Sequence, residues 1–130
     1  MNFLAGRVEG DRIVLPAEQT TLAMNGATRQ LLGRASASEI TVGIRPEHIV
    51  FSDRPAGTDV FSIAGAVDTV EPLGHTTLVR AKMASGQRLN VLLAGKIRLA
   101  EGQAVHAAFP ASRVYLFDRK SEQSVLGINE

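Results

Sequence analysis

The sequence has no cysteine, and this absence removes a whole set of chemistries. Without a thiol, the 130-residue chain has no disulfide, no thiolate metal ligand and no cysteine nucleophile. The same composition agrees with a reducing compartment, so we expect the chain to act in the cytoplasm.

Aromatic residues and net charge are also scarce. The chain has no tryptophan, one tyrosine and five phenylalanines, and its formal charge is +1. Barrels that bind nucleic acid stack bases on aromatic side chains within a basic groove, and this sequence offers neither feature. No apolar run approaches the roughly 20 residues that span a bilayer, and residues 1–4 do not begin a signal peptide. We therefore expect no nucleic-acid partner, and membrane association only through another protein.

The sequence lacks the common catalytic motifs. The phosphate-binding pattern of Gly, four residues, Gly, Lys and Ser or Thr occurs nowhere, and no nucleophile-elbow glycines surround a serine. His48, His75 and His106 are too far apart to place two metal ligands on one helix face. We expect no catalytic residue, metal or cofactor in this chain. An enzyme centred on Glu47 and His48 is a third hypothesis, and it requires a third group supplied by the fold.

What the sequence does have is a series of short apolar segments separated by glycine and proline. Twelve glycines and five prolines are spread along the chain, between segments rich in Val, Ile, Leu and Phe. This spacing favours a small β-barrel or sandwich over an alternating α/β fold. Strands are predicted over residues 3–8, 13–15, 39–45, 48–51, 61–70, 77–83, 88–93, 104–109 and 114–117.

Several positions have a predicted local role. Pro46 interrupts the strand that begins at residue 39, because proline has no backbone N–H to donate. Gly65 is predicted to bend or bulge its strand. Residues 27–34 form either a short helix or a linker, residues 52–59 form a surface loop, and residues 121–130 form a frayed tail.

Four ordered motifs carry a resemblance to a known family. They are Met1-Asn2-Phe3-Leu4-Ala5-Gly6-Arg7-Val8, Gly43-Ile44-Arg45-Pro46-Glu47-His48, Glu71-Pro72-Leu73-Gly74 and Leu116-Phe117-Asp118. In this order and spacing they resemble the C-terminal regulatory domain of carbohydrate-type ABC importer ATPases, the maltose-importer class. The resemblance implies an all-β, OB-fold-like small barrel with additional strands, called a TOBE-type domain. Residues 1–120 would form this regulatory domain and residues 121–130 a C-terminal tail.

The resemblance also implies a function that is regulatory rather than catalytic. Such a domain helps two ATP-binding subunits to dimerise and receives regulators of an importer for sugars or related solutes. Its partners are a second copy, the ATPase domain, the membrane-spanning permease subunits and a regulatory protein. ATP and Mg²⁺ belong to the ATPase domain, and the complex holds the subunit at the cytoplasmic side of the inner membrane. The transported solute is chosen by other subunits.

The same resemblance supplies the candidate interaction residues, each with a plainer structural alternative. Arg45 and Glu47 either contact other subunits or form a local ion pair that makes the turn rigid. The motif at 71–74 is either an interaction loop or a rigid turn, whereas Phe117 is expected in the core, with Asp118 capping the following turn. The full set is Gly43, Ile44, Arg45, Pro46, Glu47, His48, Glu71, Leu73, Gly74, Phe117 and Asp118.

One alternative function stays open. Residues 2–8 are also similar to the opening of molybdate-binding TOBE domains, which hold oxyanions with backbone N–H groups at subunit contacts. This alternative is an oxyanion-binding sensor domain. The motif at 43–48 favours the carbohydrate class, because it is not expected in the oxyanion binders.

Overall fold

The computed structural model describes residues 1–10, 12–18, 20–23, 39–52, 60–118 and 124–126. Within these residues the chain forms antiparallel strands and three-residue 3-10 turns, which confirms the predicted all-β class. The strands are β1 (Asn2–Glu9), β2 (Arg12–Leu15), β3 (Thr20–Ala23), β4 (Glu39–Ile44), β5 (Val50–Ser52), β6 (Val60–Pro72), β7 (Thr76–Met83), β8 (Arg88–Ala94), β9 (Ala104–Pro110), β10 (Tyr115–Asp118) and β11 (Ser124–Leu126). The turns are Pro16–Glu18, Pro46–His48 and Ala111–Arg113.

The strands form two sheets around one core. Sheet A has the order β11-β10-β4-β1-β2-β3, and sheet B has the order β5-β9-β6-β7-β8. Successive side chains of a strand point to opposite faces, so the alternating apolar residues of each strand turn inward. Leu4 and Ile40 of sheet A lie in the same buried cluster as Phe61 and Phe109 of sheet B. The rings of Phe61 and Phe109 stack within this cluster, with their centroids 5.1 Å apart.

Two bent segments join the sheets. Residues 39–52 run from β4 in sheet A to β5 in sheet B, and residues 104–118 run from β9 in sheet B to β10 in sheet A. Gly43 pairs with Tyr115 in sheet A, and Val50 pairs with Ala108 in sheet B. Val50 lies seven positions after Gly43, and Ala108 lies seven positions before Tyr115. The two segments therefore keep one antiparallel register through their bends. We call this paired region the bent-strand seam.

The two bends have the same local geometry. Arg45 (φ −75°, ψ 143°) and Pro110 (φ −74°, ψ 145°) are both extended, and a 3-10 turn follows each of them. Ile49 and Val114 then donate their backbone N–H groups to the carbonyl of the first turn residue, at 3.4 and 3.2 Å. Both side chains are 1% exposed, so each bend ends by placing an aliphatic group in the core.

A second contact between the sheets is made by side chains. β1 pairs with β2 only at residues 7–9, and β8 is the last strand of sheet B. The Asn2 side chain donates to the Asn90 carbonyl at 2.8 Å and accepts the Asn90 N–H at 2.8 Å. The Gln87 amide donates to the Phe3 carbonyl at 2.7 Å, and Ser85 donates its N–H and hydroxyl to the Glu18 carboxylate. We call these contacts the side-chain seam.

Gly65 is predicted as a bend or a bulge of its strand, and the bulge is wrong in its position. Gly65 pairs in regular register with Met83 and with Val105, whereas the irregularity in the β6–β7 pairing falls between Val67 and Thr69. A Cβ at position 65 would lie 2.9 Å from the Lys82 carbonyl oxygen. Glycine is needed there because two backbones approach closely, which a sequence cannot distinguish from a bulge.

Other local expectations fall partly outside the described residues. The alternatives for residues 27–34 and most of the predicted loop at 52–59 lie outside them, and the boundary after residue 120 stays a prediction. Within the predicted tail, Ser124–Leu126 pairs with β10 as the outermost strand of sheet A. In the described part of the chain, no helix has the length and apolarity needed to span a bilayer.

Candidate functional site

The motif at residues 43–48 forms the end of β4 and the 3-10 turn of the first bend. Pro46 opens the turn, where its missing N–H and fixed φ are tolerated, and the His48 N–H donates to the Arg45 carbonyl at 3.0 Å. Ile44 is fully buried, while Arg45 and Glu47 are exposed on either side of Pro46. The predicted interruption of the strand by Pro46 is confirmed. We call residues 43–48 the corner.

Arg45 uses an aromatic ring as its partner. Its guanidinium carbon lies 5.7 Å from the centroid of the Tyr115 ring, and Tyr115 is largely buried beneath it. A cation–π contact at such a site contributes about 0.5–1 kcal/mol. Arg45 and Glu47, both in the described part of the chain, do not form an ion pair with each other, and Glu47 is exposed.

The corner also packs against the last strand of sheet B. The Pro46–His48 turn contacts β8, and His48 in this turn is half-buried. Its Nδ1 atom is buried and has no hydrogen-bond partner among the described residues. Burial of an unpaired polar atom costs about 1–3 kcal/mol, so packing and not hydrogen bonding at Nδ1 holds this imidazole. The corner is therefore part of the framework as well as part of the surface.

Gly43 lies beneath three apolar side chains on the outer side of sheet A. A Cβ at this position would lie 2.9 Å from Met1 Sδ, 3.2 Å from Phe117 Cε2 and 3.6 Å from Phe3 Cε1. The rings of Phe3 and Phe117 meet edge to face, with centroids 6.3 Å apart. Met1 is 47% exposed and Phe3 is 52% exposed. We call Met1, Phe3 and Phe117 the outer apolar patch, and glycine at 43 lets it close over β4.

The expected core position of Phe117 is wrong. Leu116 pairs with Val42 and is fully buried, so the next residue along β10 must face the opposite side of the sheet. Phe117 is half-buried there, in contact with Phe3 and outside the core cluster. The side chain of Asp118 lies outside what the structure describes, so its predicted capping role stays a prediction.

The motif at residues 71–74 forms the tip of the β6–β7 hairpin. The Leu73 N–H donates to the Thr76 carbonyl at 2.8 Å, and Gly74 has a φ of 92°, which favours glycine. The Gly95 N–H donates to the His75 carbonyl at 2.7 Å and ties the tip to the end of β8. Leu73 is nevertheless 51% exposed. The tip is thus a well-bonded turn that presents one apolar side chain.

The structure brings some of the predicted residues together and separates others. Gly43 and Phe117, both in sheet A, meet at the outer apolar patch. The 71–74 tip joins two strands of sheet B and is a separate feature. Within the described ranges, no three His, Asp or Glu side chains are grouped to hold a metal. Sequence reasoning missed Phe3 and Tyr115 as members of the surface around the corner. The available signal was the occurrence of proline at the end of two alternating segments, Pro46 and Pro110.

Two protein-family models match the chain. The TOBE domain model matches residues 42–117, and the MalK OB fold domain model matches residues 1–49. The first match contains the corner, both bends and all of sheet B. The second contains β1, β2, β3, β4 and the first bend up to Ile49.

Curated relatives are ATP-binding proteins of importers. The chain is 38% identical over 127 residues to the sn-glycerol-3-phosphate import ATP-binding protein UgpC of Escherichia coli O6:K15:H31 (strain 536 / UPEC), covering 96% of this chain and 33% of that protein. It is 31% identical over 121 residues to the xylose/arabinose import ATP-binding protein XacK of Haloferax volcanii, covering 91% of this chain and 30% of that protein. The chain therefore spans about a third of the length of these relatives.

A solved structure shares the fold. The cytoplasmic molybdate-binding protein ModG, in a form with molybdate bound, superposes with a TM-score of 0.68 at 19% identity, covering 88% of this chain and 94% of that chain. At this identity the likeness concerns the fold alone.

Proposed function

Because the chain belongs to the TOBE domain family, we propose that it is the regulatory domain of the ATP-binding subunit of an ABC importer for sugars or related solutes. The observation that carries this proposal is the alignment with an importer ATP-binding protein over 96% of the chain. ATP hydrolysis and Mg²⁺ binding would belong to the other two-thirds of such a subunit. The permease subunits would hold the complex at the cytoplasmic side of the inner membrane.

We propose that the corner and the outer apolar patch form the surface that contacts partner proteins. Phe3 and Met1 expose apolar area, and Arg45 and Glu47 offer one cation and one anion on a bend made rigid by Pro46. Aromatic, methionine and arginine side chains are enriched at protein interfaces, with polar groups around their edge. A second copy of the subunit and a regulatory protein are the two partners of this kind.

A chimeric importer subunit tests the function. The chain replaces the aligned third of E. coli UgpC, and sn-glycerol-3-phosphate uptake is measured together with ATP hydrolysis. We expect the chimera to support uptake, because the domain supplies the same regulatory contacts. A chimera that hydrolyses ATP as fast as UgpC but supports no uptake contradicts the proposal.

Variants of the chimera test the surface. Phe3→Ser and Arg45→Ala are expected to weaken the coupling of ATP hydrolysis to uptake while the isolated chain keeps its fold. Lys96→Ala is the matched control, since Lys96 is exposed in the segment after β8, away from the corner in sequence. Equal coupling in all three variants would remove the corner and the patch from the proposed interface.

Two measurements on the chain itself complete the test. Sedimentation should show weak self-association at high concentration, and a strictly monomeric chain would count against a dimerisation role. Calorimetric titration with molybdate, tungstate and sulfate should show no tight binding. Tight binding of any of these would make the chain an oxyanion sensor instead.

A further inference from the structure

The outer side of sheet B groups three cations with one carboxylate. Ala81 of β7 is buried, so its neighbours Arg80 and Lys82 point to the outer side of the sheet. Arg88 of β8 pairs with Lys82 and therefore shares this side. The Asp68 carboxylate of β6 reaches across β7 to Arg88, at 2.5 Å. We call Arg80, Lys82 and Arg88 the cationic face.

A β-bulge supplies the carboxylate. The register of the β6–β7 pair skips Asp68, which is therefore the extra residue between Val67 and Thr69. Bulges re-aim a side chain and are common next to functional sites. The hydrogen bond from Arg88 and the charges of the cationic face lower the pKa of Asp68. The chain thus already holds one carboxylate against all three cations.

One carboxylate leaves the cationic face with unused charge. Arg88 has Asp68 as its partner, whereas Arg80 and Lys82 form no ion pair within the part of the chain that the structure describes. Three cations and one carboxylate leave two positive charges in excess at this end of the sheet, although the whole chain has a formal charge of +1. A local excess of this kind attracts an anionic partner and helps to orient it.

The cationic face also has the spacing of an extended chain. Leu78, Arg80 and Lys82 occupy alternate positions of β7 on the outer side, about 6.6 Å apart. Leu78 is half-buried and pairs with the half-buried Leu92, so an apolar contact lies at one end of this row. An extended peptide repeats its same-side residues at the same interval. One apolar residue and two carboxylates at alternate positions therefore match the row.

We propose that the cationic face binds an extended acidic segment of a partner protein, and that Asp68 occupies this face in the free chain. Glu71 argues against an anionic lipid surface, because it is exposed and pairs with Leu78 on the same side of the sheet. Lipid headgroups would meet its charge, whereas the matching peptide places its apolar residue there. The surface belongs to sheet B and is separate from the corner and the outer apolar patch, so the proposal does not depend on their role.

A peptide titration of the 130-residue chain tests the proposal, with amide chemical shifts as the readout. The acidic peptide carries leucine and then two glutamates at alternate positions, separated by threonines. A second peptide has glutamine in place of glutamate. We expect the acidic peptide to shift amides of β6, β7 and β8 and to bind more weakly as salt is added, and the glutamine peptide not to bind. No binding of the acidic peptide, or equal binding of both peptides, overturns the proposal.

Variants of the cationic face locate the contact. Arg80→Gln and Lys82→Gln should each weaken binding of the acidic peptide by about fivefold, the factor that corresponds to an exposed ion pair at the upper end of its range. Lys96→Gln is the matched control, since Lys96 is exposed beyond the end of β8 and its loss changes the net charge by the same amount. An equal loss of affinity in Lys96→Gln would show attraction to net charge alone and would overturn the proposal.

Removal of the internal carboxylate should have the opposite effect. Asp68→Asn should bind the acidic peptide about twofold to fivefold more tightly, because the peptide then has no carboxylate to displace. Glu9→Gln is the matched control, since Glu9 forms an exposed ion pair with Arg7 in sheet A, also at 2.5 Å. Equal tightening in both variants contradicts a site at the cationic face. Vesicles that contain phosphatidylserine complete the comparison, and tighter binding to them than to the peptide would make this face a membrane contact instead.

Discussion

The two seams join the same pair of sheets by different means. In the bent-strand seam the chain itself passes from one sheet to the other twice, and the two passages pair in a single register. In the side-chain seam, Asn2, Gln87 and Glu18 reach across in place of a backbone ladder. The bent-strand seam is covalent and its bends end in buried aliphatic groups, whereas the side-chain seam depends on individual hydrogen bonds.

This difference predicts an order of opening. Burial of an aliphatic side chain contributes about 1.5–3 kcal/mol, whereas a single hydrogen bond contributes about 0.5–1.5 kcal/mol net. Local opening of a protein begins where few buried apolar contacts must be broken. The side-chain seam should therefore open locally, while loss of the bent-strand seam should unfold the whole domain.

The largest expected effect comes from Ile49→Ala in the bent-strand seam. Ile49 is 1% exposed and ends the first bend, so its truncation leaves a cavity in the shared core. The free energy of unfolding should fall by about 2–5 kcal/mol, measured by urea denaturation. Val50→Ala is the matched control one position along the chain, since Val50 is 57% exposed, and it should change stability by less than about 0.5 kcal/mol. Similar losses in both variants would mean that the bend is not anchored in the core.

Ser85→Ala in the side-chain seam should have the next largest effect. It removes the hydroxyl that donates to the Glu18 carboxylate, and Glu18 is 8% exposed. The carboxylate keeps the Ser85 N–H as a donor, so the loss is that of one hydrogen bond to a charged group, about 1.5–3 kcal/mol, and it should appear in the same denaturation experiment. Ser112→Ala, in the exposed Ala111–Arg113 turn, controls for the loss of a serine hydroxyl. Equal stability of the two variants would show that the Glu18 contact adds nothing to the seam.

The sequence predicts one seam far better than the other. Alternation of Ile40, Val42 and Ile44 predicts β4, and Pro46 predicts its interruption, because both signals are local. The side-chain seam has no local signal, since Asn2 and Asn90 are 88 positions apart and either residue alone is typical of a turn or a surface. Only the fold brings the two together.

The candidate site was also predictable only in part. The corner is continuous in sequence, so its residues could be named, and Gly43 with Phe117 meet where the two bent segments pair. The predicted core position of Phe117 was wrong because the register of β10 with β4 decides which of its residues face the core. The sequence does not reveal that register. Tyr115 was missed as the partner of Arg45 for the same reason.

A smaller effect is expected from Gln87→Ala. The Gln87 amide donates to the Phe3 carbonyl at 2.7 Å, but the Gln87 residue is exposed and water can replace the bond. The free energy of unfolding should fall by about 0.5–1 kcal/mol. Amide exchange should report the change more clearly, with faster exchange in β1 and β8 and unchanged exchange in β4 and β10. Faster exchange in β4 and β10 to the same degree would contradict independent opening of the seams.

The smallest effect is expected from loss of an exposed ion pair that involves β8. Asp68 on β6 and Arg88 on β8 form an ion pair on the outer side of sheet B, at 2.5 Å. The hydrogen bond from Arg88 lowers the pKa of Asp68 below its ordinary value of 3.8, and the charges of Arg88, Lys82 and Arg80 act in the same direction. Exposed pairs of this kind are screened by water and salt, so their contribution to stability is small.

The pH dependence of Asp68→Asn separates this pair from the side-chain seam. Because the pKa of Asp68 is lower in the folded chain than in the unfolded chain, its stabilising contribution is present above the ordinary value of 3.8 and is lost as the pH falls through the folded value. The stability difference between wild type and Asp68→Asn should therefore be constant near neutral pH, where salt weakens it, and should shrink below pH 3.8. Amide exchange at Asn90 should not change, because the Asn90 N–H donates to the Asn2 side chain and not to a member of the ion pair. Exchange at Asn90 in Asp68→Asn as fast as that seen when the Asn2 amide is removed would mean that the ion pair protects the Asn90 N–H. The distinction between a buried amide seam and an exposed ion pair would then fail.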